Sequence, residues 1–167
     1  WDYEVDADGN VVEEALDQDA DGAYDSYIWY TFNEDGTLAS DSWDYHGDGI
    51  ADYERTYSYN SEGLLADVIT DSDADGIQDA SLTYSYDDYG NVLTIAEDEG
   101  VDGQWDLLTE HSYADCLLTG IVERELSGVS NSVAYTYDDQ GRLFREDYDW
   151  DDDGGRDAFA AWEYTCP

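Results

Sequence analysis

The stretch Asp71-Ser72-Asp73-Ala74-Asp75-Gly76-Ile77-Gln78-Asp79 determines how the rest of the chain is interpreted. Counted from its first residue, aspartates stand at positions 1, 3, 5 and 9, and glycine stands at position 6. Alternate side chains of a tight loop can turn their oxygens inward, the glycine permits a sharp bend, and the main-chain carbonyl of position 7 adds another oxygen. The residues that follow, 80–86, alternate as a β-strand does. The stretch therefore predicts a Ca²⁺ loop that joins strands.

The same nine-residue pattern occurs four more times. Loops 17–25 and 149–157 are complete copies, whereas 44–52 has His46 at position 3 and 98–106 has Gly100 there. We predict three strong Ca²⁺ sites and two weaker ones, because each weaker loop lacks one carboxylate. The predicted ligands, with the position-7 residue contributing its carbonyl, are Asp17, Asp19, Asp21, Ala23 and Asp25; Asp44, His46, Asp48, Ile50 and Asp52; Asp71, Asp73, Asp75, Ile77 and Asp79; Asp98, Asp102, Gln104 and Asp106; and Asp149, Asp151, Asp153, Gly155 and Asp157.

Aromatic residues repeat in register with these loops. The first aromatics of successive pairs, from Tyr30 to Trp162, are separated by 27, 27, 27, 24 and 27 residues. One step back from Tyr30 lies Tyr3, so the period covers the whole chain. We predict a single repeat domain over 1–167, with repeats near 3–29, 30–56, 57–83, 84–110, 111–134 and 135–161 and a terminal strand at 162–167.

Every repeat except the fifth, where Cys116-Leu-Leu118 replaces the turn glycine, contains a second, shorter turn signal. Six residues after the first aromatic stands a glycine that closes an Asp/Asn-x-x-Gly turn, as in 33–36 and 87–90. This is the chemistry of a type I turn in a hairpin with a bulge. One repeat is therefore strand, glycine turn, strand, calcium loop. The fold class we predict is all-β, an antiparallel meander of about six β-hairpin repeats.

Alternation along the strands separates two faces. Ile28, Tyr30 and Phe32 share one side, and Thr31 lies on the other. We expect the repeated tyrosines to form a buried aromatic ladder, packed with Leu38, Leu65, Val92 and Leu143.

Repeat five departs from the loop pattern of the other repeats, because 123–128 replaces the calcium loop and is three residues shorter. We expect no ion there.

Composition restricts the partners. The chain has 44 acidic and 5 basic residues, a formal charge of −39, and 16 tyrosines. The charge argues against binding to nucleic acid or to anionic membranes, and no apolar run is long enough to insert into a bilayer. Loops of this type fill where calcium is millimolar, which predicts a secreted or cell-surface protein.

The two cysteines point to the same compartment. Cys116 and Cys166 fit one disulfide in an oxidising environment, either within the chain or to a neighbouring molecule. The chain begins at Trp1 and contains no Met, which predicts a processed mature chain or a piece of a longer one.

Two family resemblances accompany these motifs. The segment Tyr135-Thr-Tyr-Asp-Asp-Gln-Gly-Arg-Leu143 resembles the bacterial YD (RHS-type) repeats, which are β-hairpin arrays of secreted and cell-surface proteins. The Asp-x-Asp-x-Asp-Gly-x-x-Asp loops look like those of integrin α-subunit propellers and, more loosely, of thrombospondin type 3 repeats. These resemblances imply a hairpin array outside the cell, with calcium as the bound ion.

The functional hypothesis is structural. We expect no enzyme, because His46 lies in a calcium loop, His111 takes an aromatic position, and no nucleophile or phosphate-binding motif occurs. The first and last strands are in the same phase of the repeat, which suggests head-to-tail self-association by strand addition into an extracellular filament. The alternatives are a calcium-dependent adhesin or carbohydrate-binding module that recognises surface glycans, and a passive calcium-stiffened spacer.

Overall fold

The computed structural model of the protein describes residues 1–128 and 130–163, and every regular element in them is a β-strand. The strands follow the order of the chain, β1 to β13, within one antiparallel sheet. This confirms the predicted all-β hairpin array. The strands are β1 (Asp2–Val5), β2 (Val11–Leu16), β3 (Ser26–Phe32), β4 (Leu38–Asp44), β5 (Tyr53–Tyr59), β6 (Leu65–Asp71), β7 (Ala80–Tyr86), β8 (Val92–Glu99), β9 (Leu107–Ala114), β10 (Leu117–Glu125), β11 (Ser130–Tyr137), β12 (Leu143–Asp149) and β13 (Ala158–Ala161).

Contacts divide the chain into two compact units. The first consists of residues 1–82 with 99–102, and the second consists of 83–98 with the chain from 103 onward. The first contains the pairings from β1 to β6, and the second contains those from β8 to β13. That residues 1–167 form a single repeat domain stays a prediction. The terminal strand predicted at 162–167 lies partly outside the described residues.

The predicted glycine turns are present and share one geometry. In the turn 87–90, the N–H of Gly90 donates to the carbonyl of Asp87 at 3.0 Å, and the N–H of Asp87 donates to the carbonyl of Asn91 at 2.9 Å. Gly90 has a φ of 83°, a left-handed conformation that glycine adopts without steric penalty. The register shifts by one residue beside such turns, for example between Thr31 and Phe32, which is the predicted bulge.

The fifth hairpin uses a different turn. Strands β9 and β10 are joined by only Asp115 and Cys116, whose φ values are 50° and 64°. Two consecutive residues with positive φ are the signature of a type I′ turn, whose twist matches that of the flanking strands. The loss of the turn glycine in this repeat is therefore compensated by a shorter connection.

The predicted buried aromatic ladder is only half-buried. Tyr30, Tyr57 and Tyr135 are all of intermediate exposure, and among the described residues the buried hydrophobic side chains are Ala15 and Val68. The expectation of a tyrosine-filled core was wrong in this respect. Period-2 alternation shows which side chains share a face, but it does not show that a second layer covers that face.

The tyrosines instead make hydrogen bonds along the sheet. Tyr59 donates to the carbonyl of Leu38 at 3.0 Å, and Tyr137 donates to the carbonyl of Leu118 at 2.8 Å. Tyr30 donates to Glu14 at 3.1 Å, and burial together with this bond raises the pKa of Tyr30 to about 12. Each hydroxyl therefore bonds to a residue of another strand, which lets a half-exposed ring stabilise the sheet.

A buried ion pair lies on the same face of the first unit. The Arg55 guanidinium donates to both oxygens of Asp41, at 3.0 and 2.5 Å, and Asp41 is 3% exposed. The guanidinium carbon lies 5.7 Å from the ring centroids of both Tyr53 and Tyr57. Because a buried carboxylate is costly without a partner, we expect Arg55 to stabilise this part of the fold.

We predict that Arg55→Met destabilises the first unit by about 3 kcal/mol, because it leaves Asp41 buried without its cation. Urea denaturation followed by tryptophan fluorescence measures the change. The matched control is Arg124→Met, which breaks the pair of Arg124 with Glu110, where both side chains are more than 40% exposed. That control should lose less than about 1 kcal/mol. Equal losses of unfolding free energy in the two variants would contradict the stabilising role of the Arg55–Asp41 pair.

The glycine turns should make stability depend on pH. The carboxylate of Asp87 accepts hydrogen bonds from the side chain of Asn91 and from the N–H groups of Tyr89 and Asn91. The Asn91 side-chain bond contributes most to holding the pKa of Asp87 below its ordinary value. A lowered folded-state pKa means that this carboxylate stabilises the fold above its ordinary pKa, and that the contribution is lost as the pH falls through the lower value.

We predict that Asp87→Asn removes this acid-sensitive contribution. Asn60 already shows that an amide can take the position, since its Oδ1 accepts the N–H groups of Glu62 and Leu64 at 2.9 and 3.0 Å. The difference in unfolding free energy between wild type and variant should shrink between about pH 5 and about pH 2. Asp88→Asn removes the neighbouring charge and leaves these bonds in place, so it should show a smaller change. The prediction is wrong if the two variants titrate alike.

Candidate metal centres

The five aspartate-rich loops share one backbone conformation. Position 4 has a positive φ in every loop, with values of 60°, 65°, 52°, 50° and 49° at Ala20, Gly47, Ala74, Val101 and Asp152. Position 6 is a glycine with φ between 83° and 94° in every loop. A branched residue such as Val101 rarely adopts this region. The sequence pattern predicted the bend at position 6 but did not reveal the bend at position 4.

The carboxylate of position 1 is held by the glycine of position 6. In each loop the glycine N–H donates to Oδ2 of the first aspartate, at distances between 2.7 and 3.0 Å. In loop 71–79 the N–H of Asp75 also donates to Oδ1 of Asp71, at 3.1 Å. The first aspartate is therefore oriented into the bend by main-chain donors, and Asp71 is only 9% exposed.

Position 9 is held in an equally regular way. Its main-chain N–H donates to the carbonyl of the residue before position 1, as in Asp79 to Thr70 at 2.9 Å. Its side chain accepts the N–H of position 2, as in Ser72 to Asp79 at 2.7 Å. The Ser72 side chain adds a second hydrogen bond and is the main cause of a lowered pKa of Asp79. Positions 1 and 9 therefore close the loop between two adjacent strands.

These restraints bring carboxylates together in the three complete loops. One oxygen from each of positions 1, 3 and 9 lies within 4.8 Å of the others. The groups are Asp17, Asp19 and Asp25; Asp71, Asp73 and Asp79; and Asp149, Asp151 and Asp157. The charge of neighbouring Asp153, followed by burial, raises the pKa of Asp151, as expected where like charges are held close. This is oxygen chemistry suited to a hard divalent cation.

The aspartate of position 5 lies outside these groups. Asp21, Asp75 and Asp153 each accept the N–H of the position-7 residue, at 2.8, 2.8 and 2.6 Å. A short side chain that bonds its own backbone two residues ahead forms an Asx turn. The predicted ligand role of position 5 and of the position-7 carbonyls of Ala23, Ile77 and Gly155 stays a prediction.

In loop 44–52 the histidine at position 3 pairs with the aspartate at position 9. His46 Nδ1 lies 2.8 Å from Oδ2 of Asp52, and this hydrogen bond is the main cause of a raised pKa of His46. Asp44 is fully buried, and burial by itself raises the pKa of its carboxyl. Hydrogen bonds from main-chain N–H groups, that of Gly49 first, have the larger combined effect and lower the pKa below its ordinary value. When His46 is protonated, it offsets the charge of Asp52, one of the carboxylates that the loop was predicted to offer a metal.

Loop 98–106 shares the backbone but has no carboxylate at position 3. The N–H of Gly103 donates to Asp98 at 2.8 Å, and the N–H of Asp106 donates to the carbonyl of Glu97 at 2.7 Å. The ligand roles of Asp98, Asp102, Gln104 and Asp106 stay predictions. In the fifth repeat, residues 125–128 form a tight turn in which Gly128 donates to the carbonyl of Glu125 at 2.9 Å.

The cysteines and the second histidine lie outside the aspartate-rich loops in the sequence. Cys116 is exposed in its two-residue turn, and Cys166 lies outside the described residues, so the disulfide stays a prediction. His111 lies in β9, with a buried Nδ1 that has no hydrogen-bond partner among the described residues. Within the described chain, no helix has the length and apolar character needed to cross a bilayer.

Comparison with known proteins shows the fold. No family model matches the chain, and no curated protein matches it. It is similar to the crystal structure of TcdB2-TccC3-Cdc42, with 16% identity and a TM-score of 0.56 over 95% of this chain and 9% of that chain. It is also similar to the crystal structure of TcdB2-TccC3, with 21% identity and a TM-score of 0.61 over 87% of this chain and 8% of that chain.

These likenesses have a limited meaning. At such identities they show the fold alone, and the chain spans less than a tenth of the length of the chains it matches. An antiparallel meander with turn glycines is consistent with the resemblance to YD repeats. The fold is therefore that of a β-hairpin repeat array.

Proposed function

We propose that this chain is a calcium-binding structural repeat array that acts outside the cell. The observation that carries the proposal is the grouping of three carboxylate oxygens within 4.8 Å in each complete loop. The loops lie between consecutive strands. The array would serve as a rigid structural element, with no catalytic role.

The donor set favours Ca²⁺ over other cations. All predicted side-chain ligands of the complete loops are carboxylates, which suit hard cations and not the softer metals that prefer thiolate or imidazole. A flexible loop that supplies six or more oxygens fits calcium better than magnesium, which demands strict octahedral geometry. Asp73, Asp151 and Asp19 are exposed and can reorient toward an ion without disturbing the strands.

Ligation at positions 1 and 9 would tie adjacent strands together. In the complete loops position 1 ends one strand or directly follows it, and position 9 precedes the next, so one ion would join both ends of the connection. Without a cation, three carboxylates at close range repel one another, and the folded state is destabilised. Each filled site would stabilise the fold by about 2.7 kcal/mol when free calcium is about one hundred times its dissociation constant.

We predict that Asp73→Ala removes one bound Ca²⁺ and loosens the pairing of β6 with the strand that follows it. The variant deletes a clustered carboxylate but keeps the main-chain bonds at positions 1 and 9. Native mass spectrometry with isothermal titration calorimetry gives the stoichiometry, and hydrogen exchange gives the local stability.

Asp88→Ala is the control for that experiment, because it removes one exposed carboxylate from a glycine turn. It should leave the stoichiometry unchanged. The proposal would be refuted if Asp73→Ala bound as many calcium ions as the wild type, or if the wild type bound no calcium at millimolar concentration.

Self-association is a second candidate function, favoured by the exposure of one sheet edge. All four residues of β1 are exposed, and Trp1 and Tyr3 are each 71% exposed. A strand with unpaired N–H and C=O groups is a template for strand addition by another chain. We propose head-to-tail contact between copies, giving a calcium-stiffened filament.

We predict filaments in electron micrographs of the purified protein at millimolar calcium, and their disassembly by excess chelator. Val5→Lys, which places a charge on the exposed edge strand, should suppress them without changing calcium stoichiometry. Single compact particles in both conditions would exclude the filament. The remaining proposal would then be an adhesin module for surface glycans, which a glycan array tests.

A further inference from the structure

Two arginines of this chain form a surface patch with a surplus of positive charge. All five basic residues are arginines, and three of them each pair with a separate carboxylate: Arg55 with Asp41, Arg124 with Glu110, and Arg142 with Asp138. Arg145 and Arg156 instead share one carboxylate, since both donate to Oδ1 of Asp147, at 2.6 and 3.2 Å. Two guanidinium groups around one carboxylate leave a net positive charge, in a protein whose formal charge is −39.

An exposed aromatic ring lies between these two guanidinium groups. Phe159 stands opposite Asp147 in the pairing of β12 with β13, and it is 58% exposed. The guanidinium carbons of Arg145 and Arg156 lie 4.8 and 5.0 Å from the centroid of its ring. We call Arg145, Arg156 and Phe159 the basic patch. Arginine and aromatic side chains are enriched where proteins contact one another, so the basic patch has the composition of an interface.

Unpaired negative charge lies on the exposed strand β1. Glu4 stands directly opposite Glu13 in the pairing of β1 with β2, and Asp2 lies on the same face two residues before Glu4. We call Asp2, Glu4 and Glu13 the acidic patch. Like charges directly opposite each other destabilise a strand pair, and the arginines of the chain pair with carboxylates elsewhere. A cation supplied by another molecule would relieve this repulsion.

We propose that the basic patch of one copy binds the acidic patch of the next copy, with Arg156 against Glu4. The proposal rests on the proposed self-association and deepens it, because it names both sides of the head-to-tail contact. The two patches are different surfaces, so the contact is heterologous, and each copy keeps one patch available for a further copy.

The position of Arg156 also links this contact to calcium. Arg156 is position 8 of loop 149–157, directly before Asp157, which belongs to the candidate metal centre of that loop. An ion held there would add positive charge beside the basic patch and strengthen its attraction for carboxylates. This gives a physical reason for filaments that form with calcium and come apart with a chelator.

Charge reversal on each side tests the contact. Arg156→Glu and Glu4→Arg should each raise the protein concentration needed for filaments at millimolar calcium by about tenfold or more, because each variant sets like charges against each other. An equimolar mixture of the two variants should form filaments near the wild-type concentration, since every contact in an alternating filament again joins opposite charges. Sedimentation and electron microscopy measure both effects.

Arg124→Glu is the matched control. It makes the same change of charge at an arginine whose side chain is 43% exposed, against 49% for Arg156, and which lies outside the basic patch. It should leave the concentration needed for filaments unchanged. Glu4 is the residue reversed in the acidic patch because Asp2 and Glu13 accept hydrogen bonds from aromatic side chains of their own chain, at 2.5 and 2.9 Å.

Two results would overturn the proposal. One is a folded Arg156→Glu that forms filaments at the wild-type concentration, and the other is a mixture of the two reversed variants that assembles no better than either alone. If Arg156→Glu does not fold, Arg145→Gln removes a cation of the same patch and should also raise the concentration needed; an unchanged value would overturn the proposal as well. Absence of filaments in the wild type would instead refute self-association itself.

Discussion

Main-chain hydrogen-bond donors hold carboxylates close together in this protein, and the rest of the structure depends on that constraint. Each loop uses the N–H of its position-6 glycine to orient its first aspartate. In loops 17–25, 44–52, 71–79 and 149–157 the N–H of position 2 holds the aspartate of position 9. Without these donors, a chain of formal charge −39 would separate its carboxylates by repulsion. The loops can therefore be regular before any cation neutralises them.

Side-chain hydrogen bonds also stabilise this sheet, which buries little hydrophobic surface. Tyrosine hydroxyls bond to carbonyls and carboxylates of other strands, and the buried Asp41 is paired with Arg55. These contacts act within the sheet, along with the strand hydrogen bonds. Cation sites at the strand connections would add stability where a conventional core adds little, because they act at the ends of the strands and not on their faces.

Much of the architecture could be predicted from short-range patterns. Turn chemistry at 33–36 and 87–90, alternation within strands, and the near-constant period together specified hairpins in chain order, since each depends on residues close in sequence. The half-burial of Tyr30 and Tyr57 could not be predicted, because exposure depends on whether another layer covers the face. The bond between His46 and Asp52 was also missed, since a histidine at a ligand position was assumed to face a metal.

What the sequence by itself determined is the local conformation: glycine turns, strands, and loops whose aspartates at positions 1 and 9 close the connection. Local hydrogen bonds and allowed φ values decide these, and both are properties of neighbouring residues. Only the tertiary structure decided how deeply Asp41 and Asp44 are buried, and that Gly47 lies against the main-chain carbonyls of Tyr24 and Asp25 in the loop before it. Those features depend on distances between chain segments more than twenty residues apart or on packing across strands, which no local pattern encodes.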